Sequence, residues 1–434
     1  MEQSSIKTEV LAGISTFLAT MYIIVVNPAI LSQAGMSYNA VLTSTVLLSF
    51  FSSLMMGIYA KNPIVVAPGM GMNAFFTFTA VKGMGMTYQT ALGAVFWAGV
   101  FFLVLSVFNI RSQISKAIPQ SLRYAISAGI GLFIAFIGFQ NAHVIIDNPA
   151  TLVGMSSFRD PIGITFWIGL VIMTTLVVKQ WKGGIIIGIL LISLMAFPIG
   201  RLWGDASAVN FGSKTLINFT GFFSQPDFSL IGSLDILGSL KFSFIPVIFA
   251  FAFTDMFDSL STFLGLAEAA GLYDESGEPR NVKKSLVTDA FSTLFSGIIG
   301  TSPGTAYIES AVGIEQGGRT GLTAIVAGLL FLPFMFLGPL ISLIPSIATA
   351  PALIIVGVFM IKPIAKIDWG NLEEAVPCFL AFVLIPFSYS ITQGIILGFI
   401  FWVLMKVIFA KHREISTALW IICLFSLIFL IYGH

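Results

Sequence analysis

Charge is scarce in this chain of 434 residues: 21 Lys and Arg and 20 Asp and Glu leave only 9% of positions charged. A soluble domain carries about 25%. The formal net charge of +1 leaves no cluster of Lys and Arg for nucleic acid, so no nucleic-acid partner is expected. Cysteine is scarcer still. Cys378 and Cys423 sit in apolar runs without CxxC spacing, which excludes a disulfide scaffold and reads as two small buried hydrophobes. The only His residues, His143, His412 and His434, are scattered at span ends or the terminus, so a His-based metal site or catalytic triad lacks material.

What is abundant is apolar. Hydrophobic residues make up 57% of the chain, Phe alone contributes 42, and the mean hydropathy is +0.97. This excludes a soluble enzyme and a disordered chain, and leaves an all-α polytopic membrane protein embedded in a lipid bilayer.

A membrane helix needs roughly 20 mostly apolar residues. Spans are expected near 12–32, 39–60, 88–109, 120–138, 161–178 and 183–203 in the first half. In the second half they fall near 242–266, 284–300, 321–344, 347–361, 373–389 and 390–409. Two further segments, 63–82 and 301–317, are interrupted by Pro and Gly and bring the total to fourteen. The stretch 416–432 fits either a fifteenth crossing or a helix along the interface. No basic region with a short apolar core and a cleavage site opens the chain, so the first span reads as a retained helix rather than a signal peptide.

Short loops rich in Lys and Arg mark the cytoplasmic side. Lys61, Arg111, Lys116, Lys179 and Lys182, then Arg280, Lys283, Lys284, Arg319, Lys362, Lys366, Lys406, Lys411 and Arg413, fall on one side. Lys82, Arg159 and the loop 204–241 fall on the other, which puts the N-terminus in the cytoplasm of a cell whose cytoplasmic membrane holds the protein. The triplet Asn218-Phe219-Thr220 is too common by chance to carry weight.

The interrupted segments recur. Pro68-Gly69 in the first is matched by Pro303-Gly304 in the second, 235 residues later, each after two apolar spans and before four more. Seven elements, an odd number, insert the second copy upside down, the arrangement of transporters with inverted repeats. The expected division is 1–203 for the first repeat, 204–241 for an external loop, 242–409 for the second repeat and 410–434 for a hydrophobic tail.

Acids inside a bilayer cost about 2.5–3.5 kcal/mol each on insertion scales, so they point to function. Asp255, Asp258, Asp289 and Glu309 lie inside spans, with Glu268 nearer a helix end, all in the second half; the first half offers Asn73 and hydroxyls such as Thr16 and Thr20. Asp255 and Asp258, at i and i+3, share one helix face, where two carboxylates do not both ionise readily and one can carry a proton. Asn73 and Glu309 follow the two Pro-Gly pairs by four and five residues. A helix restarting after each pair offers free N–H groups to a ligand rich in acceptors, and Glu309 accepts from its N–H donors. Phe75, Phe76, Phe253, Phe257 and Tyr307 lie near these positions and can stack on a flat ring, though with 42 Phe in the chain packing is the commoner role of any one.

Enzyme signatures carry no support. Gly300-Thr301-Ser302-Pro303-Gly304 spells GxSxG, but a nucleophile elbow needs a strand before it and a His partner. The chain therefore reads as no enzyme, with no cofactor and no metal.

Gly71-Met72-Asn73-Ala74-Phe75-Phe76, Asp255-Met256-Phe257-Asp258-Ser259, Thr301-Ser302-Pro303-Gly304-Thr305 and Glu309-Ser310 together resemble the AzgA-like purine permeases of the nucleobase–cation symporter superfamily, similar in fold to uracil and xanthine permeases. The opening Ala12-Gly13-Ile14-Ser15-Thr16-Phe17-Leu18 and the turn Gly317-Gly318-Arg319-Thr320-Gly321 match as well. The resemblance implies a core and a gate domain, with the third and tenth elements broken. It implies substrate binding by Asn73, Ala74, Phe75, Asp255, Glu309 and Ser310, and proton coupling by Asp258, Asp255 and Glu309. Uracil relatives carry a His one turn after their eighth-element acid; here that position is Ser259, so a carboxylate has to move the proton. Relatives of this fold often dimerise through the gate, which extends the expectation to a homodimer.

The expected function is import of hypoxanthine and guanine by proton symport with alternating access, the residues leaving sodium open as the coupling ion. Alternatives are an adenine permease of the same branch and a uracil or xanthine permease. An anion transporter of the same fold would place basic groups at the broken segments, and none is there.

Overall fold

In the computed structural model, which describes residues 4–432 apart from 108–118, 158–159, 207–214, 218–220 and 271–279, nearly every apolar run is a helix. Helices α1 (Ile6–Thr20) and α2 (Ile23–Leu31) form one bent span, followed by α3 (Tyr38–Met55). The first broken segment is strand β1 (Val66–Pro68) and helix α4 (Met70–Ala74). Then come α5 (Tyr88–Val107), α6 (Gln120–Asn141), a hairpin of β2 (Ile145–Asn148) and β3 (Leu152–Met155), α7 (Pro161–Val178) and α8 (Gly184–Ala196). The second half repeats the order with α9 (Ile245–Ala270), α10 (Val282–Ile299), the broken segment β4 (Gly304–Ala306) and α11 (Ala311–Glu315), then α12 (Gly321–Phe331) with the short α13 (Gly338–Ile341), α14 (Ser346–Ile361), α15 (Leu372–Phe387) and α16 (Ile391–Ile408). Helix α17 (Thr417–Tyr432) packs on α16.

Among the described residues seven helices are long and apolar enough to cross a membrane unaided; the remaining elements include α9, 26 residues long, and α10, 18 residues long, beside shorter or interrupted ones. Proline sets two of those interruptions and shortens two expected spans. The run expected at 183–203 stops at Ala196, just before Pro198, and that expected at 321–344 leaves α-geometry at Leu332–Phe336, where Pro333 cannot donate to the preceding turn.

The two halves are inverted repeats. Their equivalent strands β1 and β4 pair antiparallel through Val66–Ala306, Ala67–Thr305 and Pro68–Gly304, as opposed insertion requires. Packing obeys the same symmetry: α5 lies against α9 and α10 of the other half, and α12 lies against α1 and α3. These helices and the broken segments make the core. The gate is α6, α7 and α8 with α14, α15 and α16. Its halves meet backbone to backbone where a Cβ on Gly131 would come 2.7 Å from the carbonyl oxygen of Gly357.

The two ends of the molecule are tied differently. At the gate's basic end, buried Lys406 bridges Glu373 (2.8 Å), Glu374 (3.2 Å) and Glu414 (2.8 Å), joining α15, α16 and the approach to α17. At the opposite end of the core, the loop before α9 runs across the helix ends. Its backbone N–H groups at Asp227, Gly232 and Asp235 donate to Thr43 Oγ1 (3.1 Å), Ile298 O (2.8 Å) and Gln89 O (2.9 Å). Arg111, Lys116, Arg159, Asn218 and Thr220 lie outside the described residues.

Candidate binding site

The site begins with two missing Cβ atoms. A Cβ on Gly304 would stand 2.1 Å from Ser292 Oγ, and one on Gly69 2.8 Å from Thr305 Cγ2, so glycine lets the second broken segment lie against α10 and the first approach the second. Beyond the three-residue strands, the pairing continues through Gly69 N to Pro303 O (2.9 Å), Tyr307 N to Val65 O (3.0 Å) and Val65 N to Ser310 Oγ (3.0 Å). Helical geometry resumes at Met70 on one side and at Ile308 on the other, so both first turns present N–H groups in the middle of the core. After α4 the first segment widens into π-helical turns over Phe75–Gly83, a geometry that recurs at functional positions.

Each segment is held by a residue from the other half. Tyr22 donates its hydroxyl to Glu309 Oε1 at 2.7 Å, which leaves Oε2 for another donor. Tyr307, whose ring centroid is 6.3 Å from that of Tyr22, donates to Pro68 O at 2.5 Å. Ser302 donates to Asn73 Oδ1, so the serine of the GxSxG string serves as a clasp between segments. Among the described residues the Asn73 amide N–H group reaches Met70 Sδ, a weak acceptor, at 3.8 Å. Asn27 in α2 donates to Thr45 (2.7 Å) and Thr301 (2.9 Å), tying the second segment to α3.

The acids of α9 part company. Asp255 is fully buried and accepts from Thr293 of α10, whose hydroxyl also reaches Gly304 O at 3.3 Å. Ser259, one turn on, lies 3.5 Å from Ala306 N. That face of α9 is therefore bonded into the broken segment. Asp258 belongs to a neighbouring face, which lines a cleft of about 500 Å³, counted to its open mouth, between core and gate. The core wall of the cleft is Gly71, Met72, Phe253, Thr254 and Asp258; Ile126, Ile130 and Met360 are among the gate residues opposite. Both walls mix polar and apolar residues: Thr254 and Asp258 are the polar groups of the core side, Arg123 and Ser127 at the start of α6 those of the gate side.

The other residues singled out in the sequence fall into place around this cleft. Glu309, in the second broken segment, is half-buried and bonded to Tyr22; it is not among the residues that line the cleft. Ala74, Phe75 and Phe76 are buried behind the wall, Phe75 edge-on to Phe251 with ring centroids 4.5 Å apart. Phe253 lines the cleft and packs edge-on against Phe399 of the gate at 5.2 Å. Asp289 is buried in α10, one turn before Thr293. The side chains of Phe257 and Glu268 lie outside the described residues. Thr16 and Thr20 bond back to their own helix, through Ala12 O and Thr16 O, and take no part.

Sequence reasoning passed over Tyr22, Asn27, Thr254 and Thr293. The signal was available, because a polar side chain inside an apolar span must find a partner or a ligand. A scan confined to ionisable groups does not see it.

The chain matches the sequence profile of the Permease family over residues 7–397. It belongs to that family. The adenine permease AdeP of Escherichia coli strain K12 is 40% identical over 428 residues, covering 98% of this chain and 93% of that protein. The guanine/hypoxanthine permease PbuO of Bacillus subtilis strain 168 is 39% identical over 437 residues, covering 99% and 98%. The resemblance to AzgA-like purine permeases thus extends over full-length relatives. The fold is shared with the transmembrane domain of a cyanobacterium bicarbonate transporter, BicA, at a TM-score of 0.66 and 15% identity over 92% of this chain and 98% of that one. The protein is therefore a multi-pass membrane permease built from a core and a gate.

Proposed function

We propose that this permease imports purine nucleobases, hypoxanthine and guanine, by proton symport, with the core moving against the gate in alternating access. The observation that carries the reading is the cleft between core and gate, whose core wall joins Asp258 and Phe253 to the start of α4, together with Glu309 of the second broken segment, held by Tyr22. A planar base can stack on an aromatic ring, give its N–H groups to the carboxylate, and take N–H groups from a helix start at its carbonyl oxygen. Asn73 and Glu309 supply the polar contacts from the two broken segments, Ala74, Phe75 and Ser310 shape them, and Asp255 anchors the wall. Asp258, with Glu309 and Asp255, handles the proton.

In this reading 1–203 and 242–409 are the two repeats, 204–241 is an external loop and 410–434 a tail. The N-terminus faces the cytoplasm across the cytoplasmic membrane, and two copies associate through their gates.

Uptake of labelled hypoxanthine in a strain stripped of its own purine permeases tests the proposal. Accumulation that collapses with a protonophore supports it; sodium-dependent uptake that ignores the protonophore contradicts the coupling. The 40% identity to an adenine permease favours adenine as a second substrate reading. Adenine lacks the N1–H that an ionised Glu309 accepts, and leaving such a buried group unpaired costs about 1–3 kcal/mol. Adenine competing better than guanine against labelled hypoxanthine would replace the first reading by the second.

A further inference from the structure

Threonine hydroxyls inside helices usually bond back to the carbonyl four residues earlier. Thr16, Thr20, Thr43, Thr45, Thr175 and Thr288 all do so here, at 2.6–3.0 Å. Thr254 does not. It is 5% exposed and lines the cleft, and its Oγ1 has no hydrogen-bond partner among the described residues. Thr392 shares that lack, but it stands in the first turn of α16, away from the cleft.

The pattern of polar residues on α9 explains the difference. Positions 255 and 259 form one i, i+4 pair, spent on Thr293 and on the backbone of β4. Positions 254 and 258 form a second i, i+4 pair, one helical position back, and this pair faces the cleft together with the ring of Phe253. A hydroxyl, a carboxylate one turn below it and an aromatic ring beside them make a recognition edge for a flat heterocycle. The carboxylate only accepts when ionised, so on the core wall the hydroxyl is the side chain that can donate to an unprotonated ring nitrogen, Arg123 and Ser127 being the donors of the gate wall opposite.

We propose that Thr254 is a specificity-determining residue that donates its hydroxyl hydrogen to the unprotonated nitrogen of the five-membered ring of the bound purine. This rests on the purine reading above. It assigns the imidazole edge of the base to the Thr254–Asp258 face and leaves the six-membered ring for Glu309 and the helix starts.

Binding of hypoxanthine and of 7-deazahypoxanthine, in which that nitrogen is a C–H, to the purified full chain tests the assignment. The wild type should bind hypoxanthine about three- to tenfold more tightly than the deaza compound, the size expected for one neutral hydrogen bond. Thr254→Val should lose that preference by weakening hypoxanthine alone, and Thr254→Ser should retain it. Equal binding of the two compounds by the wild type would overturn the proposal without any variant. Equal weakening of both in Thr254→Val would also overturn it, because the residue would then matter only for shape. A wild type that binds neither compound nor any other purine would overturn the functional reading itself, a result distinct from the other two.

Discussion

The two broken segments share an architecture, a short strand followed by a restarted helix, and differ in chemistry. Each carries a Pro-Gly pair, at the end of β1 and at the start of β4, contributes a three-residue strand to a shared antiparallel ladder, and restarts a helix in the middle of the core. The first carries Asn73, wholly buried and clasped by Ser302. The second carries Glu309, half-buried and clasped by Tyr22. Inversion duplicated the scaffold, and the charge was placed on one copy only. Two carboxylates facing a low-dielectric centre would repel, whereas in the proposed function one acid and one amide offer both an acceptor and a donor to a single ligand.

Removing the acids of the second half should have the largest consequences. Asp258→Asn mimics a permanently protonated carboxylate, so it should abolish accumulation of labelled hypoxanthine against a gradient while exchange across the membrane persists. Retained accumulation would move the coupling role elsewhere. Glu309→Gln keeps the shape and loses the charge. A charge-assisted hydrogen bond is worth about 1.5–3 kcal/mol, so affinity should fall at least tenfold with the protein still reaching the membrane. Unchanged affinity in that variant would remove Glu309 from the site.

The scaffold predicts a smaller asymmetry of its own. Overpacking a tight interior costs about 1–3 kcal/mol. Gly304→Ala should show that cost as a lowered melting temperature, because its Cβ would meet Ser292 Oγ, which already bonds Ser52 at 2.7 Å. Gly69→Ala should cost less, since its Cβ would meet the Thr305 side chain at 2.8 Å rather than Ser292 Oγ at 2.1 Å. Partial recovery in the Gly304→Ala, Ser292→Ala double variant would confirm the cause, and equal losses from the two glycines would refute it.

Much of this was legible in the sequence. Hydropathy located the spans, because helices in a bilayer must satisfy their own backbone and be apolar outside. The recurrence of Pro-Gly located the two breaks and so the centre of the core. The direction in which each side chain of α9 points was not legible. Asp255 and Asp258 at i and i+3 were expected to act as a pair on one face, yet the 60° between them is enough to send one to Thr293 and the other to the cleft. The partner of Asp255 comes from α10, and the cleft that Asp258 faces is closed by gate helices far away in the chain; helix periodicity carries no information about either. Tyr22 was hidden for the same reason, since its partner lies 287 residues downstream.

The claim that one scaffold copy holds the charged contact and the other a neutral one can be tested in a single assay. Hypoxanthine affinity would be measured for Asn73→Ala and Glu309→Gln in the same membrane preparation. A neutral hydrogen bond is worth about 0.5–1.5 kcal/mol, so the expected result is a loss of no more than about tenfold for Asn73→Ala against a larger loss for Glu309→Gln. A loss in Asn73→Ala equal to or greater than that in Glu309→Gln would contradict it.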